Sequence, residues 1–142
     1  MTEIINETAI QELAYLAFEA AERAYSPYSG FRVGAALLCA DGSVYQGCNI
    51  ENSSYSATVC AERVAFQKAV SEGKRDFAAI AIVGSSDGEY SSPCYPCGVC
   101  RQVMCEFCSK EDFKIILPFK ENNELKFESF KLSELLPHSF SL

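Results

Sequence analysis

Two short segments of the chain contain the residues best suited to chemistry. The first is Cys60-Ala-Glu62, and the second is Cys97-Gly-Val-Cys100. Two cysteines spaced Cys-x-x-Cys at the start of a helix can direct both sulfurs to one metal ion. Zinc takes about four tetrahedral ligands, and a catalytic zinc site leaves one position for water. With Cys60 as a third ligand, the two segments predict a zinc centre that has one open position.

The charge around such a centre decides whether it can activate water. Three thiolates on one divalent ion leave a net charge of about −1, which makes the zinc a weaker Lewis acid than zinc held by three histidines. Helix N-termini favour thiolates through their partial positive charge, and Arg63 adds a full positive charge. Glu62 follows Cys60 by two residues, so its carboxylate can stand beside the bound water and transfer protons without being a ligand.

Two alternatives compete with this interpretation. A single Cys-x-x-Cys pair is also typical of structural zinc sites and redox pairs, so a zinc or redox module without catalysis is a second hypothesis. In addition, Cys94 lies three residues before Cys97 and offers another thiol at the same spacing. Pro96 fits the entry to a helix, which favours Cys97 and Cys100 as the ligand pair.

The elements that position these residues are predicted in the order α-β-β-α-β-α-β-β. Apolar periodicity and turn residues predict helices over 8–25, 58–72 and 98–108, strands over 31–39, 44–48, 77–83, 113–117 and 124–130, and a helical turn over 133–136. Asp41-Gly42 between two apolar runs predicts a hairpin. The strand over 31–39 is apolar on both faces, which places it centrally in a covered sheet. We expect one catalytic domain over 1–142, a three-layer α/β fold whose mixed five-stranded sheet has helices on both faces.

Composition excludes several functional classes. The 142 residues include 12 basic and 19 acidic side chains, so the net charge of −7 makes nucleic acid an unexpected partner. No apolar stretch approaches the length of a membrane span, and the N-terminus lacks a secretory signal, which predicts a cytoplasmic location with reduced thiols. One histidine, His138, leaves little scope for a histidine-ligated metal or a Ser-His-Asp triad. Four other cysteines are expected to act as small buried hydrophobes: Cys39, Cys48, Cys105 and Cys108. Cys105 and Cys108 also have zinc-like spacing.

Five segments resemble the small, homotetrameric, zinc-dependent cytidine deaminases, in the same order along nearly the whole chain. Their sequences are YSPYSGFRVGAA at 25–36, GCNIEN at 47–52, CAER at 60–63, PCGVCRQ at 96–102 and LLPHSF at 135–140. The resemblance implies the cytidine-deaminase-like α-β-α fold. It also implies hydrolytic deamination of the nucleosides cytidine and 2'-deoxycytidine to uridine and 2'-deoxyuridine, with release of ammonia, in pyrimidine salvage.

The resemblance assigns roles to single residues as well. It implies one zinc ion per chain on Cys60, Cys97 and Cys100, with zinc-activated hydroxide attacking carbon 4 of cytosine while the catalytic Glu62 shuttles protons. Arg63 matches an arginine that hydrogen-bonds the ligand sulfurs. The implied substrate-binding residues are Phe31 at the pyrimidine, Asn49 and Glu51 at the ribose hydroxyls, Ala61 next to the catalytic residue, and Tyr55 and Phe140 from neighbouring subunits of a homotetramer.

The chain departs from the family pattern just before the second cysteine pair. Tyr95 stands where the family usually has serine, close to the expected position of the cytosine amino group, so its effect on substrate fit is open. A deaminase of a cytosine-containing antibiotic of the blasticidin type is an alternative function, but the ribose-binding pattern at 49–52 argues against it. A nucleotide or tRNA deaminase would need a basic cluster for phosphate, and the sequence has none.

Overall fold

The structure is a computed structural model that describes residues 5–142. Its strands are β1 (Arg32–Cys39), β2 (Val44–Cys48), β3 (Phe77–Ser85), β4 (Lys114–Glu121) and β5 (Glu124–Lys131). Its helices are α1 (Glu7–Ala21), α2 (Ala61–Ser71), α3 (Gly98–Phe107) and α4 (Leu132–Leu135), and a 3-10 turn covers Tyr55–Ala57. None of these helices has both the length and the apolar character needed to cross a membrane.

The five strands form one mixed sheet in the order β2-β1-β3-β4-β5. The β3 and β4 strands pair in parallel, and the other three neighbouring pairs are antiparallel. Because β1 runs against both β2 and β3, those two strands point the same way. The helices that follow them, α2 and α3, therefore begin at the same end of the sheet.

The sheet separates two apolar cores, which confirms the predicted three-layer α/β fold. On one face, α1 packs its Leu13, Ala17 and Ala21 against side chains of β1, β3 and β4. On the opposite face, α2, α3 and α4 pack around the larger core, with Phe66 and Met104 among its fully buried side chains. Successive residues of a strand point to opposite faces, so β1 and β3 supply apolar side chains to both cores, as the apolar run over 31–39 predicted.

Two glycines allow helices to lie very close to the sheet. A Cβ atom on Gly34 of β1 would collide with the backbone of α1 at Ala17 and Ala21. A Cβ atom on Gly47 of β2 would collide with the carbonyl of Ala61 and lie 2.6 Å from the backbone nitrogen of Ala65. Backbone atoms cannot rotate away as side chains can, so the position of α2 depends on the missing side chain at Gly47.

Two helices are shorter than their apolar patterns predicted, because flanking residues form other backbone hydrogen bonds. The first helix ends at Ala21 rather than near 25, since the Tyr25 N–H donates to the carbonyl of Asn49 and Tyr25 bridges to Ile50. The second helix begins at Ala61 rather than 58, since Val59 exchanges two backbone hydrogen bonds with Ile50. This shift makes Cys60 the N-cap of α2 instead of a residue in its first turn.

The last two strands are longer than predicted, because they form a continuous hairpin. Their register runs from Lys114–Lys131 to Glu121–Glu124. The turn consists of Asn122 and Asn123, with φ values of 52° and 64°. Asparagine tolerates this left-handed conformation, and two such residues match the right-handed twist of the strands.

We predict that Gly47→Ala destabilises the protein, because the new methyl group forces α2 away from β2. Overpacking of this kind costs about 1–3 kcal/mol of unfolding free energy. Urea denaturation followed by circular dichroism measures the loss. Gly98→Ala is the control, since a Cβ there has open space in a helix. Equal stability of Gly47→Ala and wild type would contradict this explanation of the helix position.

Candidate zinc centre and substrate pocket

Three cysteine thiols meet where α2 and α3 begin. Cys60 is the N-cap of α2, Cys97 is the N-cap of α3, and Cys100 lies in the first turn of α3. The three sulfur atoms all lie within 4.8 Å of one another. The Sγ of Cys97 is 3.8 Å from that of Cys60 and 3.5 Å from that of Cys100. The sequence placed these cysteines at helix starts, and the parallel directions of β2 and β3 bring the two starts together.

The spacing of the sulfurs fits zinc. A Zn–S bond is about 2.3 Å long, so two sulfurs of one tetrahedral site lie about 3.8 Å apart. A disulfide would need a sulfur–sulfur distance of about 2.05 Å. All eight cysteines are free, and the cluster has the separation that one tetrahedral ion requires. Three protein ligands leave the fourth position open for water or substrate.

Arg63 supplies positive charge to this cluster. Its Nη2 donates to the Sγ of Cys60 at 3.2 Å. The hydrogen bond from Cys100, followed by that from Arg63, holds the pKa of the Cys60 thiol down to about 5, well below its usual range. The buried Nε of Arg63 has no hydrogen-bond partner within residues 5–142. A partly buried guanidinium with a free Nε–H donor beside three thiols suits a site where negative charge collects.

Glu62 lies buried next to the thiols. It is the second residue of α2 and only 4% exposed. Burial, with a smaller contribution from the charge of Cys60, raises the pKa of the carboxyl to about 7, against the opposing effects of its own backbone N–H, Cys100 and Arg63. A carboxyl group with a pKa near neutral can both accept and donate a proton, as acid–base catalysis requires.

Cys94 lies near the cluster but outside it. Among the described residues, the group of potential ligands contains only Cys60, Cys97 and Cys100. Burial raises the pKa of the Cys94 thiol to about 12. A Cβ on Gly84 would lie 2.6 Å from the sulfur of Cys94 and 2.8 Å from Cε1 of Phe31. The thiol therefore packs with Phe31 against the end of β3, and Gly84 is a packing position that the sequence did not reveal.

The side chain of Asn49 connects the end of β2 to the start of β1. Its Oδ1 accepts from the Val33 N–H at 2.9 Å, and its Nδ2 donates to the carbonyl of Phe31 at 2.8 Å. The Phe31 ring lies against Gly84 and is 38% exposed, so part of the ring remains open. An amide nitrogen has two donor hydrogens, which leaves one on Asn49 for a ligand.

Glu51 holds the loop ahead of β1 in a similar way. Its carboxylate accepts from the backbone N–H groups of Tyr28 and Ser29 and from the Ser29 hydroxyl. These hydrogen bonds, chiefly that of the Ser29 hydroxyl, hold the pKa of Glu51 below its usual range. Glu51 lines a depression of about 410 Å³ together with Tyr28, Ser29, Tyr55 and Thr58. Ser29 is a contact that the sequence analysis missed, although it lies inside the segment at 25–36.

The remaining predicted site residues differ widely in exposure. Ala61 is fully buried at the start of α2, whereas Tyr55 is 82% exposed and Phe140 is 68% exposed. Tyr95 was expected near the cytosine amino group, but its side chain turns toward β5. Its hydroxyl donates to Glu128 at 2.5 Å.

The four other cysteines lie in packed surroundings. Cys39 is buried, and Cys48, Cys105 and Cys108 are partly buried. Burial raises the pKa of the Cys108 thiol. Cys105 and Cys108 pack against the larger core. Their zinc-like spacing therefore produces no second group of three ligands within residues 5–142.

We predict that Cys94→Ser leaves the zinc content at about one ion per chain, because Cys94 lies outside the ligand cluster. Cys100→Ser, the matched control within the cluster, is expected to lose most of its zinc. Elemental analysis of the purified proteins measures both. Loss of zinc from Cys94→Ser would show that the ligand set includes Cys94.

Comparison with known proteins agrees with this geometry. The family model described as "Cytidine and deoxycytidylate deaminase zinc-binding region" matches residues 7–114. A cytidine deaminase of Sporosarcina psychrophila is 48% identical over 133 residues, 93% of this chain and 91% of that protein. A cytidine deaminase of Halalkalibacterium halodurans is 50% identical over 131 residues, 92% of this chain and 93% of that protein.

Solved structures show the same similarity. The crystal structure of cytidine deaminase from Burkholderia pseudomallei superimposes with a TM-score of 0.79 at 42% identity, covering 92% of this chain and 98% of that one. Cytidine deaminase from Mycobacterium tuberculosis gives a TM-score of 0.74 at 39% identity, covering 93% of this chain and 97% of that one. With three clustered thiols and a buried glutamate beside them, this chain belongs to the zinc-dependent cytidine deaminase family.

Proposed function

We propose that this protein hydrolyses cytidine and 2'-deoxycytidine to uridine and 2'-deoxyuridine and releases ammonia. The observation that carries the proposal is the buried Glu62 beside three thiols spaced for zinc. Membership of the cytidine deaminase family supports the same reaction. Nothing in the comparisons favours an antibiotic deaminase or a zinc or redox module without catalysis.

The proton transfers are assigned to Glu62. Cys60, Cys97 and Cys100 would hold the zinc ion, which when bound would act as a Lewis acid and lower the pKa of water at the site. Glu62 takes a proton from the attacking water and donates it to ring nitrogen 3 of cytosine. It then carries the second water proton to the amino group on carbon 4, which leaves as ammonia. The water oxygen becomes the oxygen on carbon 4 of uridine, so atoms and charge balance.

The nucleoside is held by groups with unused hydrogen-bonding capacity. One amide hydrogen of Asn49 and one acceptor site on the Glu51 carboxylate remain after their contacts within the chain, and these suit the ribose hydroxyls. The open part of the Phe31 ring packs against the pyrimidine. Ala61 lies beside Glu62 at the start of α2, where its backbone lines the base pocket. An uncharged sugar needs such polar partners rather than a basic cluster.

Neighbouring subunits complete the site in the proposed homotetramer. The rings of Tyr55 and Phe140 are 82% and 68% exposed, so both are available for contact with a neighbouring subunit. A symmetric assembly would bury both rings and place them at adjoining sites. This assignment of Tyr55 and Phe140 depends on the assembly.

The proposed setting is a single catalytic domain in the cytoplasm. The described residues form one sheet, and their apolar cores are the two on the faces of this sheet. All eight cysteines are free thiols, and a reducing compartment keeps them able to bind zinc.

We predict that Glu62→Gln retains zinc but loses at least about 100-fold in kcat, because an amide cannot accept or deliver the protons. Ammonia release from cytidine measures kcat, and elemental analysis measures zinc. Glu134→Gln, an exposed carboxylate on α4, is the control that should leave both unchanged. Full activity of Glu62→Gln would contradict the proposed role.

The same ammonia assay distinguishes the candidate functions. We expect release from cytidine and 2'-deoxycytidine and far less from free cytosine, which lacks the ribose that Asn49 and Glu51 bind. Release from blasticidin S alone would favour the antibiotic deaminase. No release from any substrate by zinc-loaded protein would favour the module without catalysis.

We predict a tetramer in sedimentation equilibrium at working concentration, because the exposed rings of Tyr55 and Phe140 gain burial only in an assembly. Substituting serine for either ring should weaken the association, since each ring contributes apolar area to a contact. Tyr15→Ser is the control, since that ring is also exposed, at 62%, but lies on α1. A stable monomer would remove Tyr55 and Phe140 from the site.

A further inference from the structure

Arg101 holds the backbone next to a zinc ligand. It is the fourth residue of α3, and its Nε donates to the carbonyl of Pro96 at 2.9 Å. Its own backbone N–H donates to the carbonyl of Cys97 at 3.0 Å. The side chain and the main chain of one residue therefore bind two successive carbonyl groups. The peptide on each side of Cys97 is held in place.

The same guanidinium reaches a third carbonyl on a distant part of the chain. Its Nη1 donates to the carbonyl of Leu135 at 2.9 Å. Leu135 ends α4, and the last carbonyls of a helix have no partner within the helix. An arginine suits both tasks, because its donors point in different directions from one rigid plane and its charge is favourable at a helix C-terminus.

One side chain of α3 and one just after this helix hold the C-terminal segment, residues 136–142, in place. Nε2 of Gln102 donates to the carbonyl of Phe140 at 3.0 Å, and Nζ of Lys110 donates to the Ser139 hydroxyl at 3.0 Å. Gln102 makes no hydrogen bond to residues 86–97, the loop that leads to the ligand, in the part of the chain that the structure describes. Arg101 thus differs from Gln102 in binding both the loop and the C-terminal part of the chain.

We propose that Arg101 is a positioning residue that keeps Cys97 in place for zinc and connects this ligand to the end of α4, from which the C-terminal segment carrying Phe140 continues. The inference rests on the proposed function, in which Cys97 is a zinc ligand. Without the two side-chain hydrogen bonds, the Pro96 carbonyl loses its partner and the peptide before Cys97 can rotate. Zinc then loses this ligand more often, although none of the sulfurs has been changed.

The test compares three variants of the zinc-loaded, full-length protein. Arg101→Met keeps a long unbranched side chain without donors, Arg101→Lys keeps the charge with a single donor group, and Gln102→Met is the matched control. Zinc release after addition of excess EDTA is followed by elemental analysis of protein recovered at intervals. Partners that orient metal ligands typically change metal affinity by at least about tenfold, so we expect Arg101→Met to release zinc about tenfold faster. Arg101→Lys should be intermediate, and Gln102→Met should match wild type.

A second measurement separates this role from a general loss of structure. Digestion by carboxypeptidase should accelerate in both Arg101→Met and Gln102→Met, since each loses a hydrogen bond that holds the C-terminal part of the chain. Wild-type zinc release by Arg101→Met would overturn the inference. Equally fast release by Gln102→Met would overturn it too, because the effect would then pass through the C-terminal segment.

Two further outcomes are also decisive. Should Arg101→Met fail to fold, Arg101→Lys takes its place, and release at the wild-type rate by that variant would overturn the inference. Wild-type protein that holds zinc but releases no ammonia from cytidine would contradict the proposed function. It would leave the comparison of zinc release intact, so the two failures are distinguishable.

Discussion

Three sulfur atoms within 4.8 Å of one another can all be ionised only where positive charge offsets their mutual repulsion. The fold supplies positive charge from two helix N-termini and from Arg63. A bound zinc ion would add its own charge. The sheet makes this possible, because β1 separates two strands that run in the same direction, and each of them leads into a ligand-bearing helix. The close contact of α2 with Gly47 fixes the position of the N-terminus of α2 relative to that of α3.

The burial that protects the centre also determines its acid–base chemistry. Glu62 lies in the first turn of α2, where a helix N-terminus would normally favour the charged carboxylate. Removal from water outweighs that effect and raises its pKa to about 7. The same removal from water raises the pKa of the Cys94 thiol to about 12. Burial thus favours the protonated form of both neighbouring groups.

The sequence was sufficient to predict a cluster of three cysteines that fits zinc, the order of the elements and the three-layer architecture, because apolar periodicity and cysteine spacing are local signals. It was less informative where distant backbone groups compete. The ends of α1 and α2 depend on the bridges of Ile50 to Tyr25 and Val59, which no local pattern encodes. The contacts of Gly84 and the hydrogen bonds of Arg101 also join residues that are far apart in sequence. Tyr95 could not be placed for the same reason, since its partner lies on β5.

Asn49 and Glu51 each serve the backbone of the fold before they serve a ligand. Asn49 fixes the start of β1, and Glu51 fixes the loop that precedes it. In their proposed ribose-binding role, the same side-chain atoms would both bind the sugar and hold the backbone in place. Evolution or redesign toward another sugar therefore has little freedom at these two positions. Tyr28 lines the same surface depression as Glu51, and its ring is exposed. Substitution of this ring is a less constrained route to altered specificity.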